Sequence, residues 1–228
     1  MKFNQLLLKA TFIKRINRFL GLANLNEKEI YCFISNPGRM NELLKPETTV
    51  YLQNIIKNKR NTSYDLILVE SEGKLISIDS RIPNKLVQEA IENNYIDEFK
   101  GYKILRTEPS YDDSRFDFLL FKKNELLYLE AKSCTLVING VAYFPDAPTK
   151  RGSRHIKTLS KAKKCGRSVI LFIIQRDDAN FFNTNNKMDP LFATAIHEAS
   201  LIGVEAYAYD TKVTLDSITL NKRVPLLL

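Results

Sequence analysis

Asp117, Glu130 and Lys132 are residues whose types and spacing could do chemistry. Asp117 interrupts the apolar run Arg115-Phe116-Asp117-Phe118-Leu119-Leu120. Glu130 and Lys132 flank Ala131 at the end of Leu126-Leu127-Tyr128-Leu129-Glu130-Ala131-Lys132. Side chains alternate along a strand, so Glu130 and Lys132 project from one face. If the two segments are antiparallel neighbours, Asp117 reaches that face too. Two carboxylates offer hard oxygen ligands for magnesium or manganese, and such an ion polarises a phosphoryl oxygen and lowers the pKa of a bound water. Lys132 would orient that water or stabilise charge developing on a phosphate. Glu89, on a helix preceding the sheet, is expected to approach the ion directly or through water. The catalytic candidates for a metal-dependent nuclease are therefore Asp117, Glu130, Lys132 and Glu89, with Asp117 and Glu130 holding the metal. Glu-x-Lys is also a common pair on a solvated strand face, so these residues alone leave both readings open.

The charge balance points toward phosphate. Thirty-four Lys and Arg against 26 Asp and Glu give a formal net charge of +8, and a basic surface attracts phosphate backbones and releases their counterions. A solvated basic surface would show the same excess. Thr149-Lys150-Arg151-Gly152-Ser153-Arg154-His155 sets cations at an expected helix N-terminus, where backbone N–H groups favour phosphate; Arg151 and Arg154 are candidates there. Lys14, Arg15 and Arg18 interleave with Ile13, Ile16 and Phe19, a pattern suited to a groove that tracks a backbone and stacks bases. Gln175 follows the most apolar segment, Ser168 to Ile174, and is expected at the rim of a central strand, where α/β sheets often place site residues.

The positioning elements change character along the chain. Up to about residue 80, short β-rich segments (Phe12 to Leu20, Glu29 to Ile34, Val50 to Leu52, Tyr64 to Val69, Leu75 to Ile78) are punctuated by turns such as Asn36-Pro37-Gly38, and fit a small barrel of the oligonucleotide-binding kind. From Pro83 on, helical spacing at Leu86 to Ile91, 152–165 and 190–199 alternates with strands, which argues for an α/β layer. The division expected is 1–80 and 81–228. No apolar run approaches the roughly 18 residues of a membrane span, and the short N-terminal apolar stretch meets Lys14 and Arg15 at once, so a cytoplasmic protein is expected. Cys32, Cys134 and Cys165 are widely spaced and suggest neither disulfides nor a zinc site.

The chain resembles the sugar fermentation stimulation protein A family. The likeness is carried, in order, by Ile13-Lys14-Arg15-Ile16-Asn17-Arg18-Phe19-Leu20, Asn36-Pro37-Gly38-Arg39-Met40, and Pro83-Asn84-Lys85-Leu86-Val87-Gln88-Glu89-Ala90-Ile91. It continues through Ser114-Arg115-Phe116-Asp117-Phe118, Glu130-Ala131-Lys132-Ser133-Cys134, Phe144-Pro145-Asp146-Ala147-Pro148-Thr149-Lys150-Arg151-Gly152 and Phe172-Ile173-Ile174-Gln175-Arg176. The resemblance implies an α+β chain of two domains, an N-terminal oligonucleotide-binding-type barrel followed by a restriction-endonuclease-like domain. It also implies DNA binding with little sequence preference, and a role in regulating sugar (maltose) metabolism genes that a non-catalytic binder could fill. It adds Asn36 and Arg39 of the barrel loop to the residues expected to meet nucleic acid, DNA or RNA. Pro37 stands where many relatives carry threonine or serine, and Ala131 where valine is frequent; neither change touches the expected metal ligands. A one-site chain cutting both strands of a duplex would need two copies, so a homodimer is expected on that reading.

Overall fold

A computed structural model describes residues 1–3, 5–55 and 62–228. Its first half is a barrel of β1 (Leu8–Asn17), β2 (Leu20–Leu25), β3 (Lys28–Ile34), β4 (Thr49–Asn54) and β5 (Tyr64–Ser71), with β6 (Lys74–Ser77) added beside β5. All pairings are antiparallel except β3 with β5, and that parallel pairing closes the barrel. The closing pairing engages Cys32–Ile34 of β3 with Tyr64–Leu66 of β5 and shortens the open edge of both strands. The barrel interior is Phe12, Ala23, Cys32, Ile34, Val50, Leu52, Leu66 and Val69. Leu20–Leu25 lacks β-branched residues, which hid β2 in the sequence. Its small residues are needed inside: a Cβ on Gly21 would lie 3.0 Å from the Phe12 ring.

The second half begins with α1 (Ile82–Glu92). Pro83 sits in its first turn, where a missing N–H is harmless, and Ile82, Leu86, Val87, Ala90 and Ile91 form its buried face. Then follow β7 (Lys103–Thr107), the two-residue pair β8 (Ser110–Tyr111) and β9 (Ser114–Arg115), β10 (Phe118–Lys122), β11 (Glu125–Cys134), β12 (Leu136–Ile138) and β13 (Val141–Phe144). After them come α2 (Lys150–Ala162), β14 (Arg167–Ile174), β15 (Phe181–Thr184), α3 (Pro190–Leu201), β16 (Glu205–Val213) and β17 (Ile218–Arg223). The central sheet has the order β17-β16-β14-β11-β10-β7, with β11, β14 and β16 mutually parallel. Seven of eight residues of β14 are buried, as expected for a strand covered on both faces. One face packs on α1 around Leu127, Leu129 and Ala131; the other packs on α2 and α3 around Ile170, Phe172 and Ile174. A second small sheet, β12-β13-β15, flanks the layer; its strands are too short to stand out by periodicity.

The halves are joined by apolar and polar contacts. Leu7, Tyr51, Ile67 and Leu68 of the barrel share one core with Leu86, Leu129 and Leu171. Gln175 is fully buried at this junction. Its Oε1 accepts from Ser77 Oγ at 2.8 Å and its Nε2 donates to Ser133 Oγ at 2.9 Å. The first residues also reach the second half: Lys2 bridges Ser217, and Phe3 N–H donates to the Asp216 carbonyl at 2.9 Å. No helix among the described residues is long and apolar enough to cross a membrane. All three cysteines are free.

Candidate metal centre

The site is set by register. Phe118 faces Leu129 across the antiparallel β10–β11 pair, so the next position outward sets Asp117 against Glu130 on one face. Asp117 has already left the strand, in a bend before β10. Its carboxylate nevertheless stays with the sheet, because Oδ2 accepts the Ala131 N–H at 2.8 Å, standing in for a strand partner. Its Oδ1 accepts from Asn84 Nδ2 at 2.6 Å. Asn84, in the first turn of α1, thus holds Asp117 by its side chain.

Glu130, 3% exposed, projects toward α2. Its Oε1 takes hydrogen bonds from Lys132 Nζ and from His155 Nδ1, the latter at 2.5 Å. Arg151 Nε donates to the other ring nitrogen of His155 at 3.4 Å, so the partners assign the Nδ1–H tautomer. Glu130 Oε2 is buried and has no hydrogen-bond partner among the described residues. A buried carboxylate oxygen left without a donor is costly unless something else occupies its lone pairs. Lys132 lies on the same face, its side chain 15% exposed.

The two acids are driven apart electrostatically. Burial, reinforced by the charge of Glu130, raises the Asp117 pKa against the pull of Ala131 N–H, Lys132 and Asn84. Burial also pushes Glu130 upward, but Lys132 and the His155 hydrogen bond outweigh it, and its pKa is lowered. Unequal environments for neighbouring carboxylates are a mark of functional sites.

These groups line a cleft of about 320 Å³ walled by both halves of the chain: Arg18, Asn36 and Gly38 from the barrel, and Asn84, Asp117, Glu130, Lys132, Ser133, Thr149 and Arg151 from the α/β layer. The walls touch closely. Met40 N–H donates to Asp146 Oδ2 at 3.3 Å, and a Cβ on Gly38 would lie 2.4 Å from that oxygen. Two carboxylates with a free buried oxygen fit a small hard cation that keeps several waters or substrate oxygens. Among the described residues no group of three His, Cys, Asp or Glu side chains offers a closed cage.

Not every expected residue arrives here. Glu89 lies five residues beyond Asn84 on α1, which at about 100° per residue turns it about 140° away. It pairs instead with the Met1 ammonium at 2.9 Å. Gln175 is sealed at the domain junction, with both ends of its amide engaged by serines, and presents nothing to a nucleic acid. Arg15 is consumed as a clamp, its guanidinium donating to the carbonyls of Arg18, Asn36, Gly38 and Arg39 at 2.6–2.9 Å. The Asn36 amide is likewise engaged, with Ile78 O at 2.9 Å and Gly38 N at 2.8 Å. Lys14, Arg18, Arg39, Arg151 and Arg154 remain exposed cations; of these, Arg18 and Arg151 line the cleft. His155, grouped in the sequence with the cations of α2, is a buried carboxylate partner. Its spacing of four residues from Arg151 was the available signal.

Comparison with known proteins agrees over the whole chain. Residues 81–217 match the family described as the sugar fermentation stimulation protein RE domain, and residues 13–78 the family of its N-terminal OB domain. The sugar fermentation stimulation protein homolog of Thermoanaerobacter sp. (strain X514) is 44% identical over 95% of this chain and 95% of its own. That of Clostridium perfringens (strain 13 / Type A) is 42% identical over 100% of both. A solved structure of Pyrococcus furiosus SfsA in complex with Ca2+ is similar at a TM-score of 0.92, with 31% identity, over 100% of this chain and 98% of that one. The fold is thus an oligonucleotide-binding barrel followed by a restriction-endonuclease-like domain.

Proposed function

Because the chain belongs to the sugar fermentation stimulation protein family, and its cleft sets two unequal acids beside a lysine, we propose that it is a DNA- or RNA-binding phosphodiesterase using magnesium or manganese held by Asp117 and Glu130. The observation that carries this reading is Glu130 Oε2, buried and unpartnered next to Asp117. The Ca2+ complex of the Pyrococcus furiosus relative supports a divalent ion.

A cation bound there would polarise a phosphoryl oxygen and acidify a bound water. The chain's own residues do the rest. Asn84 and Ala131 N–H fix the Asp117 carboxylate. Lys132 and His155 share Glu130 Oε1 and so leave Oε2 available to a ligand. Lys132 would stabilise charge on the phosphate as the bond breaks. Arg18 and Arg151, on opposite walls, would pair with phosphates flanking the scissile bond. A duplex cut on both strands would take two copies of the site.

The test is cleavage of single-stranded DNA, duplex DNA and RNA with and without divalent metal. Turnover should need the metal and vanish in Asp117→Asn and Lys132→Ala, while retention of nucleic acid survives. Cleavage unaffected by EDTA, or persisting in both variants, would refute the reading. Salt-sensitive binding with no turnover under any metal would mark a non-catalytic DNA-binding regulator, as a role with sugar (maltose) genes would require.

A further inference from the structure

A second groove adjoins the cleft, separated from it by Pro148 and Thr149, which line both. It has a volume of about 630 Å³ and runs between α2 and α3. Three of its wall residues, Lys150, Arg154 and Lys157, are exposed. Their spacing of four and three residues puts them on one face of α2. None of the three makes an ion pair among the described residues, although Glu198 also lines the groove. Asp189, the other acid there, is buried and committed: its carboxylate accepts Thr149 N–H at 2.7 Å and Phe192 N–H at 3.0 Å. The far wall is Leu191, Thr194 and Ala195, with Leu191 76% exposed.

We infer that this groove carries the sugar–phosphate backbone of one nucleic-acid strand as it leaves the cleft, with Lys150, Arg154 and Lys157 on phosphates of that strand and the sugars against Leu191. The inference rests on the nucleic-acid reading above and extends it to a binding track outside the metal centre. At about 1.5 Å per residue, seven residues of α2 span about 10 Å, and a strand of duplex geometry advances about 3.4 Å per phosphate. That length covers about three such steps, so the three cations fall within a run of about four phosphates. Arg151, one residue from Lys150 but turned toward the cleft, would hand the strand from one channel to the other.

The experiment is fluorescence anisotropy of a labelled single-stranded oligodeoxynucleotide against the full chain in EDTA, repeated across a salt series. Replacing all three cations (Lys150→Gln, Arg154→Gln, Lys157→Gln) should flatten the slope of log K against log salt by about 2, since each phosphate contact on a single strand contributes about 0.7. Glu198→Gln should tighten binding, a gain that misfolding cannot mimic. A triple variant with the slope and affinity of the wild type, or a Glu198→Gln variant no tighter than wild type, overturns the groove and leaves the metal-centre reading standing. A wild-type chain that retains no oligonucleotide even at low salt takes down both.

Discussion

Replacing Gln175 by leucine tests how the cleft is held together. The substitution roughly preserves volume but removes the acceptor of Ser77 Oγ and the donor to Ser133 Oγ. Ser77 is fully buried, so its hydroxyl is stranded at a cost of about 1–3 kcal/mol. Ser133 lines the cleft and can turn toward water, which puts its loss at the low end of that range. The sum is about 2–4 kcal/mol, and in a chain of this size each kcal/mol lowers Tm by about 2–4 °C. Urea titration followed by circular dichroism should show a lower midpoint with an unchanged slope. Hydrogen exchange should show faster opening of β6, whose Ser77 N–H also donates to the Gln175 carbonyl at 3.0 Å. Stability within about 0.5 kcal/mol of wild type would show that this amide does not join the two halves.

Three further outcomes follow from the geometry. His155→Ala should weaken Mn2+ binding, measured by titration calorimetry, by about 10–100-fold, because an outer partner orients the ligand; His155→Gln should recover part of it, and unchanged affinity would mean Lys132 alone orients Glu130. Gly38→Ala should destabilise by about 1–3 kcal/mol through its clash with Asp146, and Asp146→Ala added to it should relieve much of that; strict additivity of the two changes would contradict the close approach. Glu205 is held below the ordinary carboxylate range chiefly by its paired hydrogen bonds from Arg167, which outweigh burial. A depressed folded-state pKa gives stability that is present above about pH 4 and is lost as pH falls toward the folded value. Thermal melts of Glu205→Gln should therefore lose less stability than wild type on acidification, and parallel acid limbs would refute the assignment.

Strand alternation was enough to group Glu130 with Lys132, and a charged residue within an apolar run was enough to mark Asp117. What alternation could not reveal was which partners each would choose. Glu89 and Asn84 share a helix, and only the angle between them decides which one reaches the sheet end. Gln175 follows the central strand, as a rim residue should, but the barrel lies over that rim. Arg15 and Arg18 look alike in sequence; the carbonyls of the 36–39 loop engage the first, while the second stays exposed over the Phe19 ring. The barrel's closure depended on the β3–β5 pairing, a contact between residues some 32 positions apart, and no local pattern encodes such a distance. The cation pattern on α2 was legible, but its use was divided: His155 and Arg151 turn to the acids, while Arg154 turns to the groove.

The bend at Asp117 joins two jobs in one side chain, and this governs how its variants read. Alanine there would remove a negative charge and also orphan the Ala131 amide, so lost activity could reflect a frayed strand end. Asparagine separates the two: its carbonyl can still accept from Ala131, and Asn84 need only turn its amide over to greet the new NH2 group. The isosteric change thus asks about charge alone, with the scaffold left in place.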